Sequence, residues 1–426
     1  MIQTIRKAWN IPELRKKIVF TLLILLIYRI GNAIPVPYVD VGALSEYLNS
    51  MKTTVLGLYN VMSGGAFADA TVFALSIQPY INASIIIQLL TVAIPALERM
   101  AREEGEEGRK KIASITRYTT VGIGLIQGFA YYMLMRNQYN ILTNDSIAAA
   151  FVIIVTFVAG SAFIMWLGEQ ITEFGIGNGI SIILFASIIS RIPAGIGTMY
   201  SNREVLGVPG IVGILVGLLA LIVLITHVYN AERRIPVQYA KRQVGRKMYG
   251  GQSTTLPVKV NMSGVLPIIF AQSIAMLPAT IAAFLPAPQE GSFWYGFIQA
   301  IDTKSVLYML AYFLMIIGFS YFYATIQFNP TEIANNLKRN GGFIPGFRPG
   351  KPTADFIAKV LSRMTLFGAI YLGIVAIAPL VASKFISISG LAIGGTSVII
   401  VVGVALETIK ALENQMLARQ YKGFLE

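Results

Sequence analysis

The chain has 426 residues, of which 55% are hydrophobic and only 13% charged, and its mean hydropathy is +0.65. A soluble domain neither needs nor tolerates that apolar excess, so the composition points to a polytopic membrane protein. The net charge is +13, from 34 basic and 21 acidic residues, and the absence of cysteine excludes a disulfide framework and thiolate metal sites.

A membrane-crossing helix needs roughly 20 apolar residues. Ten stretches meet that length, near 18–36, 72–94, 116–136, 147–167, 177–194, 210–230, 263–285, 306–327, 364–383 and 391–411. No cleavable signal pattern precedes the first. Arg6, Lys7, Arg15, Lys16 and Lys17 lead straight into it, and it is expected to act as its own insertion signal. Between spans one and two lies an apolar segment too short to cross, LYNVMSGGAFA at 58–68, with a flexible Gly64-Gly65 pair. It reads either as an extracellular cap helix or as a re-entrant segment inside a cavity.

Polar residues are scattered singly in the later spans: Asn82, Ser84 and Gln88 in span two, Gln127 in span three, Gln272 and Ser273 in span seven. They read as interhelical hydrogen-bond glue or as the lining of a seam that opens. Ile81 and Ile85 in span two, and Leu184 and Ile188 in span five, are pairs four apart and so share a helix face. Spacing alone makes them core or lipid contacts. His227, the single histidine, falls near the inner end of span six and reads as interfacial.

The basic residues fall on alternate loops. With the N-terminus inside, 27 of the 34 lie in the cytoplasmic tails and loops, which predicts cytoplasmic N- and C-termini. Two cytoplasmic loops, 231–261 and 329–362, are long, basic and rich in glycine and proline. They read as topology signals in contact with anionic lipid, or as a docking platform for an acidic or nucleic-acid-bearing partner. Ten spans divide as five and five near residue 205, into halves 1–205 and 206–426. An odd number per half forces opposite orientations, so the halves suit a pseudo-two-fold axis in the membrane plane with a path between them.

Some chemistry is missing. No carboxylate pair, charge ring or ionisable relay occupies the span interiors, which argues against an ion-driven carrier and an ion-selective channel. No phosphate-binding loop of the G-x-x-x-x-G-K-[ST] type occurs, so energy for work on a substrate has to come from a partner. No catalytic residue, metal site or cofactor is expected, and the chain reads as a non-enzyme. An inverted-repeat secondary solute transporter and a lipid-embedded docking scaffold are the competing readings.

Several segments, in order along nearly the whole chain, resemble the SecY family, the channel-forming subunits of bacterial protein translocases. They are FALSIQPYINASIIIQLL (73–90), WLGEQITEFGIGNGIS (166–181), YAKRQVGR (239–246), LPVKVN (256–261), FNPTEIANNL (328–337), GGFIPGFRPG (341–350) and GGTS (394–397).

The resemblance implies an all-α polytopic fold, ten transmembrane helices in two inverted five-helix halves around a central pore. It implies a waist of apolar side chains at Ile81, Ile85, Leu184, Ile188, Ile269 and Ile400, where Leu184 replaces a frequent isoleucine. It implies a plug around Leu58, Asn60, Met62, Ser63, Gly64, Gly65 and Phe67. A lateral gate between spans two–three and seven–eight places Gln88, Gln127 and Gln272 at the seam. The basic loops, with Lys241, Arg242, Arg246, Lys247 and Arg348, are implied to receive the SecA ATPase or the ribosome. SecE and SecG subunits, signal peptides, nascent chains and membrane lipids complete the implied partners. The implied location is the bacterial cytoplasmic (inner) membrane.

Overall fold

The structure, a computed structural model, describes residues 2–50, 55–102, 104–137, 141–239, 242–244, 247–249, 253–262, 264–284, 292, 296–297, 300, 302, 305–385 and 395–422. The N-terminal half contains α1 (Ile2–Trp9), α2 (Pro12–Gly31), α3 (Val41–Ser50), α4 (Val55–Met62), α5 (Gln78–Ala93), α6 (Pro95–Arg102), α7 (Gly105–Arg136), α8 (Ile147–Phe174), α9 (Gly179–Ile189) and α10 (Ile192–Ser201). The second half begins with α11 (Arg203–Asn230) and β1 (Glu232–Tyr239), then β2 (Arg242–Val244), β3 (Lys247–Tyr249) and β4 (Ser253–Lys259). It continues with α12 (Leu266–Phe284), α13 (Val306–Gln327), α14 (Pro330–Arg339), β5 (Gly342–Phe343), α15 (Lys351–Phe385) and α16 (Gly395–Lys422).

Every predicted span coincides with helix, but with different limits. Five stretches among the described residues are by themselves long and apolar enough to cross a membrane: Ile147–Phe174, Gly179–Ser201, Gly207–Asn230, Val306–Arg339 and Lys351–Val381. A sixth is α5 with its continuation, which bends by 105° at Ile94, so that α6 turns away from the crossing direction. The remaining predicted spans lie in α2, α7, α12 and α16. These are helical yet diluted or short: Arg15, Lys16, Lys17 and Arg29 lie within α2, Gln127 and glycines lie within α7, the apolar stretch of α12 is only Leu266–Pro278, and Glu407 and Lys410 lie in α16.

Caps set several starts. Ser146, Asn178, Ser305 and Asn329 each accept a backbone N–H of the helix that follows, closing donors left open in the first turn. Gly207, at φ 63°, breaks α11 two residues before Pro209.

The helices share one large apolar core. Residues of α5, α8, α9, α12 and α16 enter it together with the segment after α4. In the N-terminal half α5 packs on α7, α7 on α8, and α8 on α9. In the second half α13 packs on α12 and α15, and α15 on α16. The halves meet where α5 and α7 touch α12 and where α9 touches α16. A satellite cluster of Ala8, Leu14, Ile176 and Leu412 seats the N-terminal helix on α16.

The two long loops are not irregular. β1 pairs antiparallel with β4 and with β5, giving a three-stranded sheet in the order β4-β1-β5 that joins loop 231–261 to loop 329–362. Ile235, Val237, Val258, Ile344, Ile357, Val360 and Leu361 form its own buried core. The helix of span nine begins at Lys351, inside the predicted loop, because its first turns belong to this core rather than to the membrane.

Candidate functional site

The six residues expected to form the waist lie on four helices, of which α5 contacts α12 and α9 contacts α16. Ile81 and Ile85 are on α5, Leu184 and Ile188 on α9, Ile269 on α12 and Ile400 on α16. All are 5% exposed or less, and all belong to the main core. The placement of α9 follows from its leading turn. Asn178 Oδ1 accepts from Ile180 and Ser181, and Thr172 Oγ1 accepts from Gly179 at 2.9 Å. A Cβ on Gly179 would lie 2.0 Å from the Gly168 carbonyl, so only glycine lets α9 fold back this closely on α8.

The plug segment is α4 followed by a compact turn. Met62, Ser63, Gly64, Gly65 and Phe67 are buried, and the side chain of Leu58 lies outside the described residues. The turn ties itself together: Asn60 Oδ1 accepts from Ala68 N at 3.0 Å and Ser63 Oγ accepts from Phe67 N at 3.1 Å. The helix α4 touches α9 and α12, two of the four waist helices. Gly64 and Gly65 have φ of 69° and 97°. A Cβ at Gly64 would come 3.1 Å from the Ser187 carbonyl of α9, and one at Gly65 would come 2.8 Å from the Arg191 guanidinium. From α7, the Tyr131 hydroxyl donates to the Phe67 carbonyl, and the two rings stack at 4.3 Å. Arg191 and Tyr131 are functional candidates that sequence reasoning missed. Their one signal was a polar group beside an apolar run.

At the predicted seam, Gln88 of α5 reaches across to α13. Its Oε1 accepts from the Tyr323 hydroxyl, and its Nε2 donates to Ser84 Oγ at 3.1 Å. Tyr323 packs 5.2 Å from Phe270 of α12 and 5.8 Å from Phe322. Gln127 of α7 and Gln272 of α12 are on helices in contact, and each has a buried amide oxygen with no hydrogen-bond partner among the described residues. Gln88, Gln127 and Gln272 therefore all lie on helices of the interface between the halves. Tyr323 was missed, since a tyrosine in an apolar span carries no spacing signal.

On the sheet side, Arg348 is exposed in the turn before α15. Its carbonyl accepts from Thr353 Oγ1 at 2.8 Å, and the Phe347 ring stacks on Phe356 at 4.2 Å, which fixes the turn and leaves the guanidinium free of it. Gly346 and Gly350 supply φ of 89° and 108°. Arg242 and Lys247 lie on the paired strands β2 and β3, where Arg242 is opposite Tyr249 and Lys247 opposite Val244. Lys241 and Arg246 lie outside the described residues. Among the described residues no group of three or more histidine, aspartate or glutamate side chains could hold a metal ion.

The SecY family model matches residues 71–409. Protein translocase subunits SecY from Streptomyces scabiei, Halalkalibacterium halodurans and Aquifex aeolicus are 43%, 44% and 39% identical to this chain, each over the full length of both proteins. Among solved structures, one described as a protein conducting channel superposes with a TM-score of 0.65 at 18% identity, covering 97% of each chain. The Sec61 chain of a canine ribosome-channel complex superposes with a TM-score of 0.64 at 17% identity, also covering 97% of each. The structural likenesses establish the all-α polytopic membrane fold, and with end-to-end relatives and a family model over most of its length, this chain belongs to the SecY family.

Proposed function

We propose that this chain is a passive, gated protein-conducting channel that passes unfolded secretory polypeptides across the cytoplasmic (inner) membrane and releases transmembrane segments sideways into lipid. The observation that supports this reading is that Ile81, Ile85, Leu184, Ile188, Ile269 and Ile400 are all buried on the helices through which the two halves touch, α5 on α12 and α9 on α16, with the α4 segment against α9 and α12. The halves 1–205 and 206–426 act as two jaws. An apolar waist dewets when empty and deforms around a chain, so it limits ion leak without selecting by charge. Lateral release is driven by partition, worth roughly 0.3–0.6 kcal/mol per central Leu or Ile of the passenger.

Direction comes from partners. The joined basic loops form the platform on which the SecA ATPase or the ribosome docks, and SecE and SecG subunits bind the lipid-facing helices. Both termini are cytoplasmic, in keeping with the basic bias of the loops. The transporter alternative finds little support in the buried groups: among the described residues no Asp, Glu, Lys, Arg or His is fully buried, Glu407 and Arg191 being half-buried.

Replacing Ile81, Ile269 or Ile400 by asparagine is expected to wet the waist. Reconstituted vesicles should show a higher ion leak, and cells should export a reporter with a defective signal sequence. Unchanged leak and stringency in all three variants would remove the waist assignment.

A further inference from the structure

The base of span seven is fastened to span ten by two reciprocal contacts. Gly264 has φ 63°, and a Cβ there would lie 2.4 Å from Glu407 Oε1 of α16. Gly403, one turn earlier on the same face of α16, receives the other half of the joint: a Cβ there would lie 2.4 Å from Val265 Cγ1. Val265 is 1% exposed and part of the main core.

The Glu407 carboxylate lies against Gly264 and lines one cleft with Tyr229, at the end of α11, and with Lys259 and Asn261, and Tyr229, Lys259, Lys410 and the Val265 N–H are close enough to act on its charge. Lys410 Nζ lies 4.9 Å from the centre of the Tyr229 ring. Backbone amides at a helix start have no intrahelical acceptor, and a carboxylate there meets both the free N–H and the positive end of the helix dipole. The same joint continues into the sheet. Lys259 ends β4, Val260 N donates to Ala231 O at 3.0 Å, and Asn261 Nδ2 donates to Gly264 O at 3.1 Å. A cleft of about 260 Å³ opens beside these groups.

We propose that Glu407 is a positioning residue for the gate. It pins the base of α12 to α16 and α11 while the gate is shut, and it passes a displacement of the β1–β4 sheet by a docked partner to α12. This rests on the channel reading above, and it adds a role that neither the waist nor the seam requires.

The test uses the full-length chain in its complex, in cells, with two reporters, one with an intact signal sequence and one with a defective signal. Glu407→Ala should raise export of the defective reporter about five-fold while intact-signal export stays level, since a charged hydrogen bond contributes on the order of 1 kcal/mol or more. Glu407→Gln, which keeps an acceptor, and Tyr229→Phe should raise it less. Loss of both exports together, or wild-type stringency in Glu407→Ala, overturns the positioning role when Ile269→Asn loosens the same assay. If Ile269→Asn also has no effect, it is the channel reading that falls. If Glu407→Ala does not accumulate, the other two variants decide: wild-type stringency in both overturns the role.

Discussion

A tyrosine inside an apolar helix carries one polar group that lipid will not satisfy. In Tyr323 that hydroxyl is used to join span eight to Gln88 of span two, across 235 residues of sequence. Hydrogen bonds between membrane helices average about 0.6 kcal/mol, which is about three-fold in an equilibrium constant. Tyr323→Phe should therefore shift gate opening about three-fold, read as increased export of a reporter with a weakened signal. An unchanged reporter would assign the bond to packing alone. Gln88 was legible as a polar residue in the run FALSIQPYINASIIIQLL. Its partner was not, because nothing local in a sequence records which distant helix will lie opposite. The same limit hid Tyr131 and Arg191, whose contacts to Phe67 and Gly65 exist only after α7 and α9 have closed around the plug.

Among the elements, the segment proposed as a plug is short and seated by its surroundings. The helix α4 has 8 residues, too few to persist alone, so its seat is made by its surroundings. Gly64 and Gly65 take positive φ and approach Ser187 and Arg191 without a side chain between. Gly65→Ala imposes a left-handed strain of roughly 1–2 kcal/mol, a factor of about 5–30 in seating. Vesicles carrying this variant should leak ions more than wild type in that range, with protein level unchanged; an equal leak would mean the turn is not part of the seal.

Length and the glycine pair marked this segment as a non-spanning one and left cap helix and re-entrant segment open; the plug role came from the family resemblance alone. The sheet was not legible. In β1, ERRIPVQY, the buried Ile235 and Val237 alternate with exposed residues, a strand pattern masked by charge and proline. Its partners are β4 in the same loop and β5 about a hundred residues away, and no local pattern records the second pairing. The limits of α15 were missed for a related reason: amphipathic turns packed on the sheet do not look like a span.

At the scale of the molecule, the halves touch along α5–α12, α7–α12 and α9–α16, and within the second half one sheet draws strands from both long loops. Force applied anywhere on that sheet reaches α11, α12, α14 and α15 together, since these helices are continuous with it or packed on it. Arg348 projects from the turn that closes it. Arg348→Glu should leave folding intact, because only the carbonyl of this residue bonds within the turn. It should lower partner-driven export about ten-fold by placing like charge against an acidic partner surface, an effect that weakens at high salt. Export at the wild-type rate would exclude Arg348 from docking. The ten-span rhythm and the basic bias were readable because they are sums over many residues, whereas close helix packing within each half depends on single glycines, Gly179 against α8 and Gly403 against Val265.

The six residues proposed as the waist carry no ionisable side chain, which has an electrical consequence. Moving one elementary charge through 100 mV is worth about 2.3 kcal/mol. A barrier of isoleucine and leucine has no such charge to move, so the membrane potential has little grip on the waist itself. Voltage acts on the charges of the passenger, and the same closed barrier serves a resting and an energised membrane alike.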